Sequence, residues 1–268
     1  MFAQINELIK VIDDAVWGLP LICLIMVTGI LLTVRLGGVQ VRHLGKAFKF
    51  MFQDEEDGHG EVTSFGALCT ALSATIGTGN IAGVATAIAA GGPGALFWMV
   101  VAAFFGMATK YSEGLLAIKY RTIDQDGHVL GGPFYYIENG MGKKWKWLAK
   151  LFAFFGVGVG LLGIGTFTQV NSIASAVKNF FDPDMAHTVS LFGGNYSWAT
   201  VVAGVILTLC VGLVVLGGIQ RIAKVSEVIV PFMAVIYIVL SVTLIICNIT
   251  EIPAAIVTVV KAAFNPSA

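Results

Sequence analysis

The sequence predicts an all-α polytopic membrane protein. Hydrophobic residues make up 57% of its 268 residues and charged residues only 12%, whereas a soluble domain carries about 25% charged residues. The mean hydropathy is +0.85. Apolar runs recur along the chain, each near the roughly 20 residues that a membrane-spanning helix needs. A lipid bilayer is therefore the expected surrounding of most of the chain.

Charge and cysteine content exclude several other classes. The net charge is zero, which gives no sign of a nucleic-acid partner. The four cysteines are scattered through apolar runs, so we interpret them as small buried residues and not as disulfides or metal ligands. The first apolar run lacks a basic lead and is long enough to span a membrane, which argues against a cleavable signal peptide.

Six spanning segments are predicted in chain order. A Gly91–Gly94 turn separates the second from the third. The segments are Ala15–Val34, Val62–Ala90, Gly94–Ile118, Trp147–Val177, Trp198–Gly218 and Val228–Ile249. A short amphipathic helix, Pro253–Phe264, is expected on the outer surface after the last of them.

Basic residues predict the orientation. If the Arg35–Glu61 loop is cytoplasmic, the three inner connections hold eleven Lys and Arg residues and the outer segments hold three. This places the N-terminus outside, in a multi-pass protein of the cell membrane. The longest inner connection, Lys119–Lys146, contains a turn at Asp124–Gly127 and an aromatic stretch at Gly131–Ile137 that leads into a short helix.

The second span is the best candidate binding site. The 48 residues from Val62 to Thr109 contain no Asp, Glu, Lys, Arg or His. Thr75-Ile76-Gly77-Thr78-Gly79-Asn80 lies within this run. Such a cluster of glycines and polar residues predicts a broken helix, because free backbone groups at membrane depth are tolerated only where they face a protein-lined cavity.

A break at Gly77 and Gly79 exposes two helix ends of opposite polarity. Carbonyl groups at the end of the first half carry partial negative charge and suit a sodium ion. The N–H groups at the start of the second half suit a carboxylate. One interruption would then hold an amino acid zwitterion and a cation.

Close helix packing is the alternative interpretation. Gly79 and Gly83 form a G-x-x-x-G pair, which is typical of tightly packed membrane helices. This explains the glycines, but it does not explain why Thr75, Thr78 and Asn80 share the same turn.

At these residues the sequence resembles the alanine/glycine:cation symporter family. The resemblance rests on TALSATIGTGNIAGVATAIAA at Thr70–Ala90 with the following GGPGALFWM, on Lys110–Glu113, on GGPFYYIENGMG at Gly131–Gly142, and on Thr166–Gln169. It implies a leucine-transporter-type fold of inverted five-helix repeats with one extra N-terminal helix. It also implies sodium-driven uptake of alanine or glycine by alternating access.

The resemblance also implies a division of the chain. Residues 1–61 would form a peripheral helix and loop, residues 62–252 the first five-helix repeat, and residues 253–268 an outer helix and the start of the second repeat. We expect the second repeat to be missing and the chain to be a truncated, monomeric fragment.

The same resemblance implies a set of site residues. The N–H groups of Thr78 and Gly79 would hold the substrate carboxylate, and Thr75 and Asn80 would line the substrate or cation position. The carbonyls of Ser73 and Ile76 would supply half of a sodium site, to which Asn80 is added as a metal-binding candidate. No other cofactor and no catalytic residue is implied.

Gln169 and Phe167 are further candidates in the fourth span. The Phe167 ring would wall the pocket and the Gln169 amide would bond the substrate amine, as the resemblance also implies. The alternative is an interhelical hydrogen bond, worth about 0.6 kcal/mol. The glycines of the same span, Gly156 to Gly165, indicate close packing.

One ionisable pair lies near the inner end of the third span. Lys110 and Glu113 share a helix face, as residues three apart do. An inner gate and a self-satisfied pair at the interface explain them equally well.

Three functions are compatible with parts of this pattern. The first is a sodium-coupled symporter for alanine or glycine, which is not an enzyme. The second is an intramembrane enzyme, which lacks catalytic groups at the midplane. The third is a glycine-packed helical channel or structural membrane subunit, which a continuous helix through Gly77–Asn80 would favour.

Overall fold

The computed structural model describes residues 2–53, 61–163, 165–191 and 193–265. Most of these residues are helical. The helices are α1 Phe2–Trp17, α2 Leu19–Arg35, α3 Val39–Arg42, α4 Leu44–Met51, α5 Ser64–Thr75, α6 Ala82–Gly91, α7 Gly94–Lys119, α8 Pro133–Met141, α9 Lys146–Leu162, α10 Thr166–Phe181, α11 Trp198–Val215, α12 Gly218–Cys247 and α13 Ile252–Ala263, with 3₁₀ turns at Thr78–Asn80 and Lys143–Trp145. The acidic residues 54–57 and the last three residues lie outside the described ranges.

Two short antiparallel hairpins were not predicted. Strands β1 (Thr122–Ile123) and β2 (Val129–Leu130) flank the predicted Asp124–Gly127 turn, and strands β3 (Thr188–Leu191) and β4 (Gly194–Ser197) precede α11. Strands of two to four residues are too short for an alternating pattern to reveal them.

In the described part of the chain, five helical segments are long and apolar enough to cross a membrane. They are Asn6–Arg35, Gly94–Lys119, Lys143–Phe181, Trp198–Val215 and Gly218–Cys247. The chain is therefore a multi-pass membrane protein. The segments Gly94–Lys119 and Trp198–Val215 follow predicted spans to within three residues at each end, whereas Asn6–Arg35 begins nine residues before the predicted Ala15.

The second and the last predicted spans also differ from the structure. Val62–Ala90 is not one helix, because α5 has 12 residues and α6 has 10, and each is shorter than the roughly 20 residues needed to cross a bilayer. The last span begins ten residues before the predicted Val228, since Gly218 starts the helix at φ +70°. Arg221, Lys224 and Glu227 consequently lie on α12 and not in a loop.

Burial is the reverse of that in a soluble protein. Large apolar side chains point outward, as at Leu216 (87% exposed) and Leu161 (84% exposed). Small residues fill the contacts between helices, which is the usual packing within a membrane. The buried hydrophobic residues in the described ranges are Cys69, Ala108, Ala149, Ala199, Ala203, Ala223 and Val230.

The chain divides into two compact units. The first draws on residues up to Lys49, on Gly91–Lys150 and on residues from Thr258 onward, and the second comprises Phe50–Ala90 and Leu151–Val257. The predicted division of the sequence at residues 61 and 252 concerns repeats and not contacts, so it stays a prediction.

In the first unit α2 packs along α7. Gly29 of α2 is buried, and a Cβ added there would lie 2.9 Å from the Cβ of Phe105, so only glycine permits this approach. Near the start of α7 the indole N–H of Trp98 donates to the carbonyl of Ala263 at 3.0 Å. The Phe97 and Phe264 rings lie 5.3 Å apart beside this bond. The short helix predicted at 253–264 is present as α13, and its C-terminal end is held by α7.

In the second unit α5 packs against α12, and α10 against α11. The connection from α10 to α11 is organised by a buried carboxylate. Asp182 accepts hydrogen bonds from the Ser197 hydroxyl and from the backbone N–H of Ala186. The Ser197 oxygen in turn accepts from the N–H of Ala199 and caps α11.

Acidification is expected to destabilise this connection. The Ser197 hydroxyl, foremost, and the N–H groups of Ala186 and His187 hold the pKa of the Asp182 carboxyl below its ordinary 3.8, against the opposing effect of burial. Because the folded pKa is the lower one, the stabilisation is fully present above the unfolded value of 3.8 and is lost as the pH falls through the folded pKa.

Thermal unfolding in detergent, measured from about pH 5 to about pH 2, tests this expectation. Asp182→Asn should flatten the dependence of Tm on pH in the acidic range. Asp184→Asn is the matched control, because Asp184 is an exposed carboxylate two residues away. Equal acid slopes in Asp182→Asn and the unaltered protein would contradict the assignment.

Candidate functional site

The interruption between α5 and α6 spans residues 76 to 81. The last helical bond of α5 runs from the N–H of Ile76 to the carbonyl of Leu72 at 2.7 Å. Ile76 and Gly77 are extended, with φ of −89° and −149°. A 3₁₀ turn follows at Thr78–Asn80, and α6 begins at Ala82. The helix is therefore interrupted between Thr75 and Ala82, within a stretch that contains no charged residue.

Asn80 holds this turn closed. Its side-chain oxygen accepts a hydrogen bond from the N–H of Gly77 at 3.0 Å, and its own N–H donates to the Gly77 carbonyl at 3.0 Å. This reciprocal pairing resembles a capping box and satisfies two backbone groups at once. The carboxamide of Asn80 thus has a structural task, and its NH₂ group is left for another partner.

Backbone groups on both sides of the turn are open. No donor in the described part of the chain reaches the carbonyls of Ser73 and Ile76, and no acceptor reaches the N–H groups of Thr78 and Gly79. The carbonyls belong to the negative end of the α5 dipole. The residues of the turn are half-buried or exposed, so these groups are accessible.

Two hydroxyl groups near the break are already engaged as donors. Thr75 donates to the Ala71 carbonyl and Ser73 to the Thr70 carbonyl, both at 2.7 Å. Their oxygen atoms keep free lone pairs. Each can therefore contribute to a cation or an ammonium group only as an acceptor.

Gln169 lies against the turn. A Cβ built on Gly77 would lie 3.2 Å from Cδ and Nε2 of Gln169 and 3.4 Å from its Oε1. Because the three atoms are almost equidistant, the plane of the amide faces Gly77. The side chain makes no hydrogen bond within the described residues, so its donor and acceptor are available beside the open N–H groups.

Phe167 takes a different direction from Gln169. Residues two apart on a helix do not share a face, and the Phe167 ring lies over Gly163, 3.1 Å from a Cβ built there. The side chain is 73% exposed. The Gln169 side chain therefore lies against the turn, whereas the Phe167 side chain packs on Gly163, just before its own helix.

A second interruption lies in the fourth predicted span. α9 ends at Leu162 and α10 begins at Thr166. Gly163 and Gly165 have φ of +61° and +87°, a region that favours glycine. From the sequence these glycines were expected to be packing residues. Their position directly before the polar stretch Thr166–Gln169 could have predicted the interruption. That polar stretch forms the first turn of α10.

The remaining ionisable candidates have local partners. Lys110 and Glu113 of α7 form an ion pair of 3.1 Å with both side chains largely exposed, which is the self-satisfied arrangement. On α8, burial and, to a smaller extent, the Glu113 charge raise the pKa of the Tyr136 hydroxyl.

Carboxylates that could hold a metal are not gathered near the break. In the described ranges no group of three or more His, Cys, Asp or Glu side chains is arranged to hold a metal ion. The oxygen atoms that the turn offers are neutral carbonyl and hydroxyl groups. Glu227 is the polar residue that sequence reasoning missed: it lies on α12 and accepts a hydrogen bond from Thr63.

Comparison with known proteins identifies relatives along the whole chain. The profile described as "Sodium:alanine symporter family" matches residues 2–268. The chain is 50% identical over 264 residues to an "Uncharacterized transporter" of Haemophilus influenzae, covering 98% of the chain and 54% of that protein. It is 45% identical over 266 residues to the "Sodium/alanine symporter AgcS" of Methanococcus maripaludis, covering 98% and 55%.

The name of a third relative mentions the proton as well as sodium. The "Putative sodium/proton-dependent alanine carrier protein YrbD" of Bacillus subtilis is 41% identical over 258 residues, covering 96% of the chain and 49% of that protein. The chain thus spans about half the length of the curated relatives it matches.

The contact between Gly77 and Gln169 can be tested by adding one methyl group. Gly77→Ala should lower the free energy of unfolding by about 1 kcal/mol, the mild end of the overpacking range, because the flexible amide must move by a few tenths of an ångström. Adding Gln169→Ala should recover most of the loss.

Gly79→Ala is the matched control, since nothing lies within 4 Å of a Cβ at that glycine. The measurement is denaturant unfolding of the purified protein in detergent. Equal effects of the two glycine substitutions would mean that Gln169 does not pack on the turn.

Proposed function

The chain belongs to the sodium:alanine symporter family, and on that premise we propose that the protein couples inward sodium movement to the uptake of a small neutral amino acid, alanine or glycine. The observation that carries the proposal is the interrupted helix at residues 76–81, where open peptide groups of both polarities lie side by side. It would work in the cell membrane by alternating access.

The carboxylate of the substrate would bind the turn. The N–H groups of Thr78 and Gly79 are open, and N–H groups at a helix start attract anions. The Gln169 amide lies next to the same turn, where its oxygen can accept from the substrate ammonium group. Asn80 contributes the NH₂ group that its bond to Gly77 leaves free.

The sodium ion would be held at the end of α5. The carbonyls of Ser73 and Ile76 are open, and the helix dipole makes them partly negative. Neutral oxygen ligands suit a hard monovalent cation. Coupling to a proton would need a titratable group at the break. Glu227 of α12, the helix that packs against α5, contacts the opposite end of α5. That end lies about 18 Å from the break, the length of a 12-residue helix.

Substrate size is expected to be limited by what the turn can accommodate. Glycine and alanine differ by one methyl group, and a pocket discriminates such a difference by only about 1–3 kcal/mol. Both amino acids are therefore proposed as substrates, and no further cofactor is needed besides the coupling ion.

The complete gene product in proteoliposomes tests the function. Radiolabelled alanine should accumulate when sodium is placed outside and should not accumulate in a choline or potassium gradient of the same strength, because uptake uses the sodium gradient. Unlabelled glycine should compete. Accumulation that depends on a proton gradient and ignores sodium would overturn the assignment of the coupling ion.

Two substitutions of Asn80 separate its structural task from a role in binding. Asn80→Leu should abolish sodium-dependent alanine uptake while the protein still inserts. Asn80→Asp keeps the oxygen that accepts from Gly77 but removes the NH₂ donor, so it should preserve stability and still lower uptake at least about tenfold.

Thr208→Val serves as the matched polar-to-apolar control, because its hydroxyl bonds only within its own helix, to Gly204. The amount of each variant protein in the membrane fraction, measured by immunoblotting, gives the level of insertion. Full uptake by Asn80→Asp would restrict Asn80 to closing the turn, and full uptake by Asn80→Leu would remove it from the site.

A further inference from the structure

Glu227 and Thr63 join two helices that are far apart in the chain. The Thr63 hydroxyl donates to Oε1 of Glu227 at 2.8 Å across a separation of 164 residues. The same hydroxyl oxygen accepts from the N–H of Gly66 at 3.0 Å and so caps α5. One hydroxyl group thus both starts α5 and ties it to α12.

The carboxylate lies directly against the first turn of α5. A Cβ built on Gly66 would collide with Oε1 of Glu227, so a side chain there would displace the carboxylate from its present position. The positive end of the α5 dipole favours an anion in this position. Side-chain hydrogen bond, glycine contact and helix dipole therefore act on the same oxygen atom.

The helix that carries Glu227 is weakened at this turn. Pro231 lies within α12. Proline has no N–H group, so it cannot bond the carbonyl four residues earlier, which is that of Glu227. The tie to α5 is made at the place where α12 can bend most readily.

The remaining contact surface is made of small side chains. Gly66 and Cys69 are the buried residues of α5, and Ala223, Ser226 and Val230 are those of α12. Small side chains pack closely but interlock little. A polar tie at one end then determines the register of the two helices, as a single polar contact does in coiled coils.

We propose that Glu227 is a positioning residue that fastens the N-terminal end of α5 to α12. The strength of this tie sets where the C-terminal carbonyls of α5 lie at the interruption, and how readily α5 separates from α12. The inference rests on the proposed symport, because those carbonyls are the proposed sodium ligands.

The native thiol of Cys69 reports this separation without a transport assay. Cys69 is only 1% exposed, whereas Cys210 is exposed. Modification by N-ethylmaleimide is measured by peptide mass spectrometry on the complete gene product in membranes. Cys210 serves as an internal standard for access of the reagent.

Loss of the tie should speed modification of Cys69. Glu227→Ala and Thr63→Val should each raise the rate about fivefold, which corresponds to about 1 kcal/mol for an exposed hydrogen bond to a charged group. Thr63→Ser, which keeps the hydroxyl, should restore the original rate. Thr63→Val removes the cap of α5 as well as the tie. Combining it with Glu227→Ala should therefore add nothing to the effect of Thr63→Val alone, because the tie is already lost.

Glu227→Gln covers the case in which Glu227→Ala does not fold, since it retains an acceptor and should give a smaller increase. Thr208→Val is again the matched control and should leave the Cys69 rate unchanged. Unaltered Cys69 rates in Thr63→Val and Glu227→Gln, or fully multiplicative effects in the double variant, would overturn the proposal.

A second measurement links the tie to the site. In the uptake assay, Thr63→Val should raise the sodium concentration for half-maximal alanine uptake several-fold, about as much as it speeds labelling, and Thr63→Ser should not. If uptake proves independent of sodium while the labelling results hold, the proposed function fails and the tie stands. If sodium-dependent uptake is found and labelling is insensitive to both residues, the tie fails and the function stands.

Discussion

The peptide bond's need for hydrogen-bond partners governs this structure. In hydrocarbon an unpaired backbone N–H or C=O group costs several kcal/mol, so a helix that crosses a membrane does not open without compensation. Here the opening at residues 76–81 is compensated locally by the Asn80 side chain. The groups that Asn80 does not reach remain accessible, and these are the groups that we propose as ligands of the solute.

The open turn and the helix beside it have complementary chemistry. The turn offers backbone N–H groups and carbonyls, whereas α10 offers the amide of Gln169. Glycine at position 77 allows the amide to lie flat against the backbone. No side chain at position 77 separates the amide from the backbone of the turn.

The two ends of α5 have different constraints. Its first turn is capped by Thr63, bears the Glu227 carboxylate and packs through Gly66. In the described part of the chain, the Ser73 carbonyl of its last turn accepts no hydrogen bond. The proposed positioning role of Glu227 depends on this difference, because the internal hydrogen bonds of α5 keep the helix rigid between its two ends.

Composition and the apolar runs were sufficient to predict a helical membrane protein. The cluster Thr75–Asn80 in a charge-free run was sufficient to predict where the helix is interrupted. Both predictions depend on the local preference of residues for lipid or for polar partners. The tertiary structure alone decided which residues meet there. The packing of Gln169 on Gly77 and the bond from Thr63 to Glu227 join segments distant in the chain. No local pattern encodes such pairings, since they arise from how α5 packs with α12 and how α10 approaches the turn.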